Sequence, residues 1–376
     1  MKEIRMVDLK TQYDKIKVQI DMAIEKVINS TSFIRGPEVK EFENNLAHYL
    51  NVRHVIGCAN GTDALQVCLM ALDLKPGDEV ITPDFTFIAT VEVIALLGLT
   101  PVLVDVDPVT FNINPESIKK SITGKTKVIL PVHLFGQCAN MNEIMKIAGE
   151  HNLYIIEDTA QATGAEFFYN NGNTLKAGTM GTMGCTSFFP SKNLGCYGDG
   201  GAIMTNNNDL AEKVRIITNH GMKIRYYHDM IGVNSRLDTI QAAILNVKLS
   251  SLDEYNAARQ VAAAYYNKEL SNINEIILPG KAEYTNHIYH QYTIRLKDLD
   301  RQKLQDYLKS KGIPTMIYYP IPLHRQKAFL GLNYNDAQFP VTEELCKTVL
   351  SLPMHTELDN EQLGYITYHI KEFISK

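Results

Sequence analysis

A single lysine stands in an almost uncharged part of the sequence. Between residues 177 and 208 the only formally charged side chains are Lys192 and Asp199, and the lysine lies in the stretch TSFFPSKNLGCYGDGG. A buried core excludes an ammonium group without partners, and a surface helix carries several charges. A solvated loop lysine is the simple alternative. A lysine that acts as a nucleophile near neutral pH needs desolvation to lower its pKa from about 10.4, and this neighbourhood offers it.

A turn earlier in the chain has the character of a phosphate-binding site. In GCANGTDAL, the residues Asn60, Gly61, Thr62 and Asp63 lie where a predicted strand ends and a helix begins. Free backbone N–H groups and the positive end of a helix dipole bind anions at such a point, and a glycine permits close approach. The alternative is an ordinary Asn-Gly turn in which Thr62 or Asp63 is the helix N-cap. No G-K-[ST] follows, so this is not a Walker A loop.

Two acidic residues end the apolar run of LYIIEDTAQA, residues 153–162. Ligands of open α/β sheets bind at the carboxyl ends of the strands, so a carboxylate there is placed to meet a cationic ring nitrogen. Asp158 and Gln161 are three residues apart at the start of a helical turn, so both can face the same point. The alternative is that Asp158 only caps the next helix.

The turn, the aspartate and the lysine together suit one cofactor. Pyridoxal 5'-phosphate (PLP) requires a phosphate anchor, a partner for its pyridinium nitrogen and an amine that binds its aldehyde. The sequence therefore predicts a PLP site in which Lys192 is used and not merely tolerated. A dinucleotide site is a poor alternative, because GCYGDGG lacks the G-x-G-x-x-G order and does not directly follow a strand.

The elements that must position these residues form an α/β pattern. From about residue 50, helical patterns alternate with the β-branched runs HVIGCA, GDEVITP, TPVLVDVD, TKVILPVHL and LYIIED. This order predicts a mostly parallel sheet with helices on both faces. Helical periodicity then runs from residue 236 to 270, which is too long for another βα unit, and a smaller α+β lobe hinged on that helix follows. We expect a large PLP-binding α/β domain at residues 1–250, with an N-terminal helical segment, and a small C-terminal α+β domain at residues 251–376.

Composition and charge exclude several classes of partner. The 376 residues carry a formal net charge of −5 without a long basic run, so neither nucleic acid nor an anionic membrane is expected. The N-terminus lacks the apolar stretch of a secretory signal, and the most apolar tract is too short to span a bilayer. The six cysteines have no metal-ligand spacing, so we expect buried thiols, no metal site and a cytoplasmic protein.

Over nearly its whole length the sequence resembles the DegT/DnrJ/EryC1/StrS sugar aminotransferases, which are fold-type I PLP enzymes. The resemblance lies in FIRGPEVKEFE, ANGTDAL, GDEVITPDFTFIATVE, PVLVDVDPVTFNI, PVHLFGQ, IIEDTAQATGA, TSFFPSKNLGCYGDGGAI, GVNSRLDTIQAAIL and YYPIPLHRQ. It implies the fold-type I architecture and transamination from glutamate to a nucleotide-linked keto sugar, with the cofactor alternating between PLP and its pyridoxamine form (PMP).

The resemblance also implies roles for individual residues. Lys192 would bind the cofactor and move a proton between the donor Cα and cofactor atom C4'. Asp158 would meet the pyridinium nitrogen, Gln161 would contact the O3' side of the ring, and Phe87 would stack on its face. The phosphate ligands would be Gly61, Thr62, Asp63, Ser187 and, from a second subunit, Asn234. A site shared in this way implies a homodimer.

Two further residues are implied in substrate binding. Arg236 would lie near the substrate or the donor carboxylate, where its planar fork suits an anion, and a salt-bridged surface arginine is the alternative. Tyr319 would approach the sugar. Many relatives have His-Tyr-Pro where this chain has Tyr318-Tyr319-Pro320, so no role is assigned to Tyr318.

Within the family, the likeness is greatest to aminotransferases of UDP-2-acetamido-2-deoxy-3-oxo-glucuronate, which act in bacterial O-antigen and lipopolysaccharide synthesis. SFFPSKNLGCYGDGGAI, RYYHDMIGVNSRLDTIQAAIL, YPIPL and SLPMH carry this likeness. The alternative is a 3- or 4-aminotransferase of TDP-keto-6-deoxysugars, which lack the carboxylate. Related 3-dehydratases have histidine in place of the lysine, so Lys192 argues against that activity. A non-enzymatic sensor that binds the cofactor is the remaining alternative, because fold alone does not fix function.

Overall fold

The structure is a computed structural model that describes residues 2–375. Its strands are β1 (His54–Cys58), β2 (Glu79–Pro83), β3 (Thr100–Val104), β4 (Thr126–Ile129), β5 (Tyr154–Asp158), β6 (Glu166–Phe168), β7 (Thr174–Lys176), β8 (Met183–Ser187), β9 (Gly201–Thr205), β10 (Met222–Ile224), β11 (Tyr227–His228), β12 (Ile276–Ile277), β13 (Tyr292–Leu296) and β14 (Val349–Leu352).

The α-helices are α1 (Leu9–Ser30), α2 (Pro37–Leu50), α3 (Gly61–Ala71), α4 (Ala89–Leu96), α5 (Pro115–Ser121), α6 (Met141–His151), α7 (Asn208–Ile217), α8 (Thr239–Leu249), α9 (Leu252–Leu270), α10 (Arg301–Ser310), α11 (Pro340–Thr348) and α12 (Asn360–Ile374). Short 3₁₀ helices cover Leu134–Gly136, Leu323–Arg325, Lys327–Leu332 and Asp336–Gln338.

The central sheet has the strand order β1-β9-β8-β5-β4-β2-β3. Six strands run in one direction, and β9 is antiparallel to both of its neighbours, β1 and β8. The five β-branched runs of the sequence are β1 to β5, so the predicted mostly parallel sheet is confirmed.

Both faces of this sheet are buried beneath helices. In β5, Ile156 packs into the core under α3 and α7, whereas its neighbour Ile155 packs into the core under α6. Val80 and Ile81 of β2 divide in the same way. Because successive side chains of a strand point to opposite faces, a strand buried on both sides is a continuous apolar run, which is why these strands are visible in the sequence.

Asparagine residues set the start of four helices around the sheet. The side chains of Asn60, Asn114, Asn140 and Asn207 each accept a backbone N–H in the first turn of α3, α5, α6 and α7. Asparagine is among the strongest N-cap residues, so each of these turns has a fixed starting point. The first of them opens the turn that was predicted to bind phosphate.

The helical segment predicted from residue 236 to 270 is two helices and not one. α8 ends at Leu249, and Ser251 leaves the helical region with φ −106° and ψ 6°. The hydroxyl of Ser250 donates to the carbonyl of Val247 at 2.8 Å. Such a local side-chain bond to the backbone competes with the regular hydrogen bonds of a helix.

The break at Ser250 and Ser251 changes the layer in which the chain packs. α8 packs on α1 and α2, whereas α9 packs on α12. An apolar cluster then joins α9, α10, α12 and the small antiparallel sheet β12-β13-β14, together with Ile4 from the N-terminal segment. The domain boundary at residue 250 stays a prediction. No helix within residues 2–375 is both long and apolar enough to cross a membrane.

Candidate active site

Three strand ends bring the predicted site residues to one edge of the sheet. β1 ends at Cys58 directly before the predicted phosphate turn, β5 ends at Asp158, and β8 ends at Ser187, shortly before Lys192. Gly201 at the start of β9 pairs with both Cys58 and Ser187, so the turn lies beside Ser187. Asp158 is in register with Cys185 of the same neighbouring strand, which places the aspartate next to the lysine loop.

The turn before α3 has two free backbone donors and a close packing contact. The helix N-cap is Asn60, not Thr62 or Asp63, because its Oδ1 accepts the N–H of Asp63 at 2.8 Å. The N–H groups of Gly61 and Thr62 precede the first intrahelical bond and remain available. A Cβ on Gly61 would lie 2.6 Å from the Cβ of Ser187, so only glycine permits this approach.

These contacts describe an anion site made of backbone N–H groups and a hydroxyl. Gly61, Thr62 and Ser187 are placed for that role, which stays a prediction. Asp63 contributes its N–H to the cap instead. Its predicted contact with the phosphate therefore has to come through another atom.

Asp158 is buried at the end of β5, where two hydrogen-bond donors within residues 2–375 contact its carboxylate. Its carboxylate accepts the hydroxyl of Thr90 at 3.0 Å and the N–H of Ala160 at 3.1 Å. Burial raises the pKa of Asp158, while these bonds and the nearby charge of Lys192 oppose the shift. Residues 160–164 form a turn and no helix, so the alternative that Asp158 caps a helix is wrong.

Lys192 lies in the loop between β8 and β9 with a half-buried side chain. Its backbone N–H donates to the carbonyl of Phe189 at 2.8 Å, which fixes the loop locally. Burial lowers the pKa of the amine to about 8, and the negative charge of Asp158 opposes this shift. Within residues 2–375, no hydrogen bond or ion pair holds the amine. The solvated loop lysine is therefore not what the structure contains.

Gln161, Tyr319 and Phe87 form one continuous polar and aromatic wall. Oε1 of Gln161 accepts the backbone N–H of Phe135 at 2.8 Å, and its Nε2 donates to the hydroxyl of Tyr319 at 3.1 Å. The ring of Phe87 is 55% exposed and its centroid lies 6.5 Å from that of Tyr319. The structure brings these three predicted residues together, and their contacts with cofactor and sugar stay predictions.

A network beneath the lysine loop was not predicted. Asn193, the residue after the lysine, accepts from Nδ1 of His290 at 3.1 Å and donates to Oδ1 of Asn256 at 2.7 Å. Burial lowers the pKa of His290, and the charge of Lys192 lowers it further. A neutral histidine therefore holds the loop and adds no positive charge of its own beside the lysine amine. The partners come from distant parts of the chain, and no local sequence pattern identifies them.

A second unpredicted contact joins the loop that carries Phe87 to the segment that carries Tyr319. Asp84 accepts from Nδ1 of His324 at 2.6 Å and from its backbone N–H at 2.8 Å. Burial raises the pKa of Asp84 to about 6, against the opposing effect of His324. This buried pair holds the chain just before Phe87 against the chain just after Tyr319.

Asn234 and Arg236 lie apart from the other site residues of their own chain. Within residues 2–375, no hydrogen bond or ion pair joins either of them to Lys192, Asp158 or Gln161. Asn234 is exposed, and Arg236 faces a separate cavity.

The residues of this site fit PLP. The close packing of Gly61 against Ser187 and the free N–H groups of Gly61 and Thr62 suit a phosphate. Asp158 has room for a further donor besides Thr90 and Ala160, which suits a pyridinium N–H. The amine of Lys192 is half-buried with a lowered pKa, which suits reaction with an aldehyde.

Comparison with known sequences decides the family. The sequence profile of the DegT/DnrJ/EryC1/StrS aminotransferase family matches residues 14–371. The chain belongs to this family. It is therefore a PLP-dependent aminotransferase, which confirms the predicted cofactor and the predicted fold-type I architecture, while the roles of the individual site residues stay predictions.

Three similar proteins illustrate the breadth of the DegT/DnrJ/EryC1/StrS family. A pleiotropic regulatory protein from Geobacillus stearothermophilus is 48% identical over 98% of both chains. UDP-2-acetamido-2-deoxy-3-oxo-D-glucuronate aminotransferase from Pseudomonas aeruginosa is 46% identical over 96% of this chain and 98% of its own. The crystal structure of NtdA from Bacillus subtilis with bound cofactor PMP is 32% identical, with a TM-score of 0.91 over 100% of this chain and 86% of its own.

Proposed function

We propose that the protein transfers the amino group of L-glutamate to the 3-keto group of UDP-2-acetamido-2-deoxy-3-oxo-glucuronate, a step of bacterial O-antigen synthesis. The observation that carries this proposal is the near full-length similarity to the Pseudomonas enzyme named for that substrate. The arrangement of Lys192, Asp158 and the Gly61 turn supports it, because every group that transamination requires is present. The six free, buried cysteines support a reducing compartment, and we propose the cytoplasm.

The residues of the site divide the chemistry between them. When bound, PLP supplies an electron sink that stabilises negative charge at the donor Cα. Lys192 removes the proton from that Cα and returns it at cofactor atom C4', for which an amine with a pKa near 8 is well matched to neutral pH. Asp158 keeps the ring nitrogen protonated, and burial of its carboxylate strengthens that pairing. Gln161 and Tyr319 orient the ring and the sugar.

We also propose a homodimer with shared sites, which is supported by the exposed position of Asn234 away from Lys192 and Asp158 of its own chain. Large apolar side chains are also exposed on nearby elements. They are Val18, Met22, Ile28, Phe33, Ile34, Ile224, Tyr226, Tyr227 and Ile231. Apolar groups concentrated on α1, the segment after it and the β10–β11 hairpin support an interface with a second copy.

Mixing two inactive variants tests the shared site. We expect Lys192→Ala and Asn234→Leu to be inactive alone. Refolded together, they form hybrids in which one site combines an intact Lys192 with an intact Asn234 of the other subunit. Recovery of activity in the mixture is the expected result. If the mixture stays as inactive as its components, each subunit carries its own Asn234 and the shared site is wrong.

The substrate is tested by comparing the uronate with its 6-hydroxyl analogue. We expect kcat/KM to be at least about 10-fold higher for the uronate, because a site that pairs a carboxylate loses a charged partner with the analogue. The glutamate half-reaction, followed by cofactor absorbance, is the control, since it is independent of the sugar. Equal values for both sugars contradict the uronate assignment, and a preference for a TDP-keto-6-deoxysugar supports the alternative.

A further inference from the structure

A cavity of about 680 Å³ lies between α2, β1, α7 and the segment before α8. The charged side chains that line it are Arg35, Lys40, Glu43, Glu212, Arg215, Lys223 and Arg236. Arg215 pairs with Glu43 at 2.9 Å, and Lys223 pairs with Glu212. Within residues 2–375 both acids of the lining are thus used, and Lys40, Arg35 and Arg236 have no acidic partner.

Backbone contacts hold Arg35 beside the segment that carries Arg236. Ile34 pairs with Asp238 in an antiparallel bridge, and the N–H of Gly36 donates to Oγ1 of Thr239 at 3.0 Å. Arg35 lies between these two contacts. Its φ of 55° is in the left-handed region, which is unfavourable for a side chain of this size.

The resulting arrangement is electrostatically unfavourable by itself. Partial burial lowers the pKa of Arg35, and the positive charges of Arg236 and Arg215 lower it further, against a smaller opposing effect of Glu43. Like charges held side by side repel, and a non-glycine residue at positive φ adds strain. Neither feature stabilises the free protein, so the position of Arg35 needs another reason.

The cavity is connected to the PLP site through the residue before Arg236. The hydroxyl of Ser235 accepts the N–H of Ala59 at 3.1 Å. Ala59 directly precedes the Asn60–Gly61 turn that is placed to bind phosphate. The chain segment that carries Arg236 is therefore attached to the start of that turn, although the cavity itself is not lined by Lys192, Asp158 or Gln161.

We propose that Arg35 and Arg236, the arginine pair, bind an oxyanion group of the nucleotide-sugar substrate. Two planar guanidinium forks suit a diphosphate or a carboxylate, and both groups occur in the proposed substrate. Arg35 is then a specificity-determining residue. The identity of the ligand rests on the proposed function, whereas the arginine pair can be tested with compounds that cannot be turned over.

Titration calorimetry of the PLP-loaded enzyme tests the pair. The ligands are UDP, UDP-N-acetylglucosamine, the corresponding UDP-N-acetylglucosaminuronate and 2-oxoglutarate. The variant is Arg35→Asn, because asparagine tolerates the left-handed backbone. Arg53→Asn is the matched control, since Arg53 is also exposed but does not line this cavity. We expect Arg35→Asn to weaken at least one UDP ligand about 10-fold, and Arg53→Asn to change each affinity less than about twofold.

The pattern across ligands identifies the anion. Equal weakening of all three UDP compounds assigns the diphosphate, and weakening of the uronate alone assigns the carboxylate. Unchanged affinities for the UDP compounds, or an effect on 2-oxoglutarate alone, overturn the proposal. If the unmodified enzyme binds these compounds but does not turn over the keto uronate, that result counts against the proposed function and not against the arginine pair.

Thermal unfolding without ligand separates binding from structure. Arg35→Asn removes a repulsion and fits the backbone, so its midpoint should equal or exceed that of the unmodified enzyme while its affinity falls. Arg35→Lys keeps the positive charge but loses the planar guanidinium group, and we expect its affinity for the UDP ligands to be intermediate. A midpoint that falls together with the affinity shows that Arg35 is structural and overturns the proposal.

Discussion

Lys192 and Lys248 differ in role although their amines titrate alike. Burial lowers the pKa of each to about 8. Lys248 is 1% exposed, donates to the carbonyl of Gly195 and lies 5.3 Å from the ring centroid of Tyr197. It therefore supports the loop in which Lys192 stands. The amine of Lys192 has no such partner within residues 2–375, so the unused hydrogen-bonding capacity, and not the pKa, distinguishes the lysine that we propose as the reactive one.

Two adjacent acids of β5 show the same contrast. The carboxylate of Glu157 meets His133 at 2.8 Å and accepts the N–H groups of Gly178 at 2.9 Å, Met180 at 2.7 Å and Gly181 at 2.6 Å. Asp158 accepts only two donors. Neighbouring residues of a strand face opposite sides of the sheet, so Glu157 anchors a loop while Asp158 faces the side on which we propose that the cofactor binds.

The carboxylate of Glu157 is thus saturated with hydrogen bonds, and that of Asp158 is not. Buried polar groups without enough partners are unfavourable, so proteins retain them where a ligand supplies the missing partner. Lys192 and Asp158 each have a comparison residue nearby, Lys248 and Glu157, whose charged group is held by hydrogen bonds to the protein. The matched pairs separate chemistry from stability in experiment.

The largest expected effect separates the two lysines. Lys192→Ala should lower the rate of the glutamate half-reaction at least about 10⁴-fold, because it removes both the nucleophile and the general base. Binding of PMP should survive, because the phosphate contacts remain. Lys248→Met should keep the half-reaction and lose about 1–2 kcal/mol of unfolding free energy, since the carbonyl of Gly195 loses its donor. Cofactor absorbance and urea denaturation measure the two quantities, and appreciable turnover by Lys192→Ala would refute its role.

A smaller effect separates the two acids. Asp158→Asn should lower the half-reaction about 10²-fold, because the ring nitrogen loses its anionic partner, with little change in stability. Glu157→Gln should keep most of the rate and lose about 3 kcal/mol of unfolding free energy, because several buried donors lose a carboxylate. The same two assays apply. If Glu157→Gln is the slower enzyme and Asp158→Asn the less stable one, the assignment of the two acids is reversed.

The features that could be predicted from the sequence are those that depend on residues close together in the chain. β1 to β5 are continuous apolar runs, and the residues at their carboxyl ends must meet at one edge of the sheet. The prediction of one helix from residue 236 to 270 was wrong because apolar periodicity continues across Ser250 and Ser251, while the serines and the change of packing partner end the helix.

Contacts between distant residues could not be predicted in this way. Asn193 and His290 are 97 positions apart, and Thr90 reaches Asp158 across 68. Arg35 and Arg236 come together only because β1, α2 and the segment before α8 pack around one cavity. No periodicity of the chain records such neighbours, because they are set by how the layers pack.

The pH dependence of cofactor capture sharpens the contrast between the lysines further. The neutral amine is the nucleophile, so the apoenzyme should capture PLP at a rate that rises with pH around a midpoint near the pKa of Lys192, about 8. Burial disfavours the ammonium form in the folded state, so the stability of the apoenzyme should also rise between pH about 8 and about 10.4, where only the unfolded chain still holds the proton. Asp158→Asn should move the midpoint to lower pH, because the carboxylate favours the charged amine. Lys248→Met should leave it in place, and a midpoint near that of free lysine would show that burial does not activate Lys192.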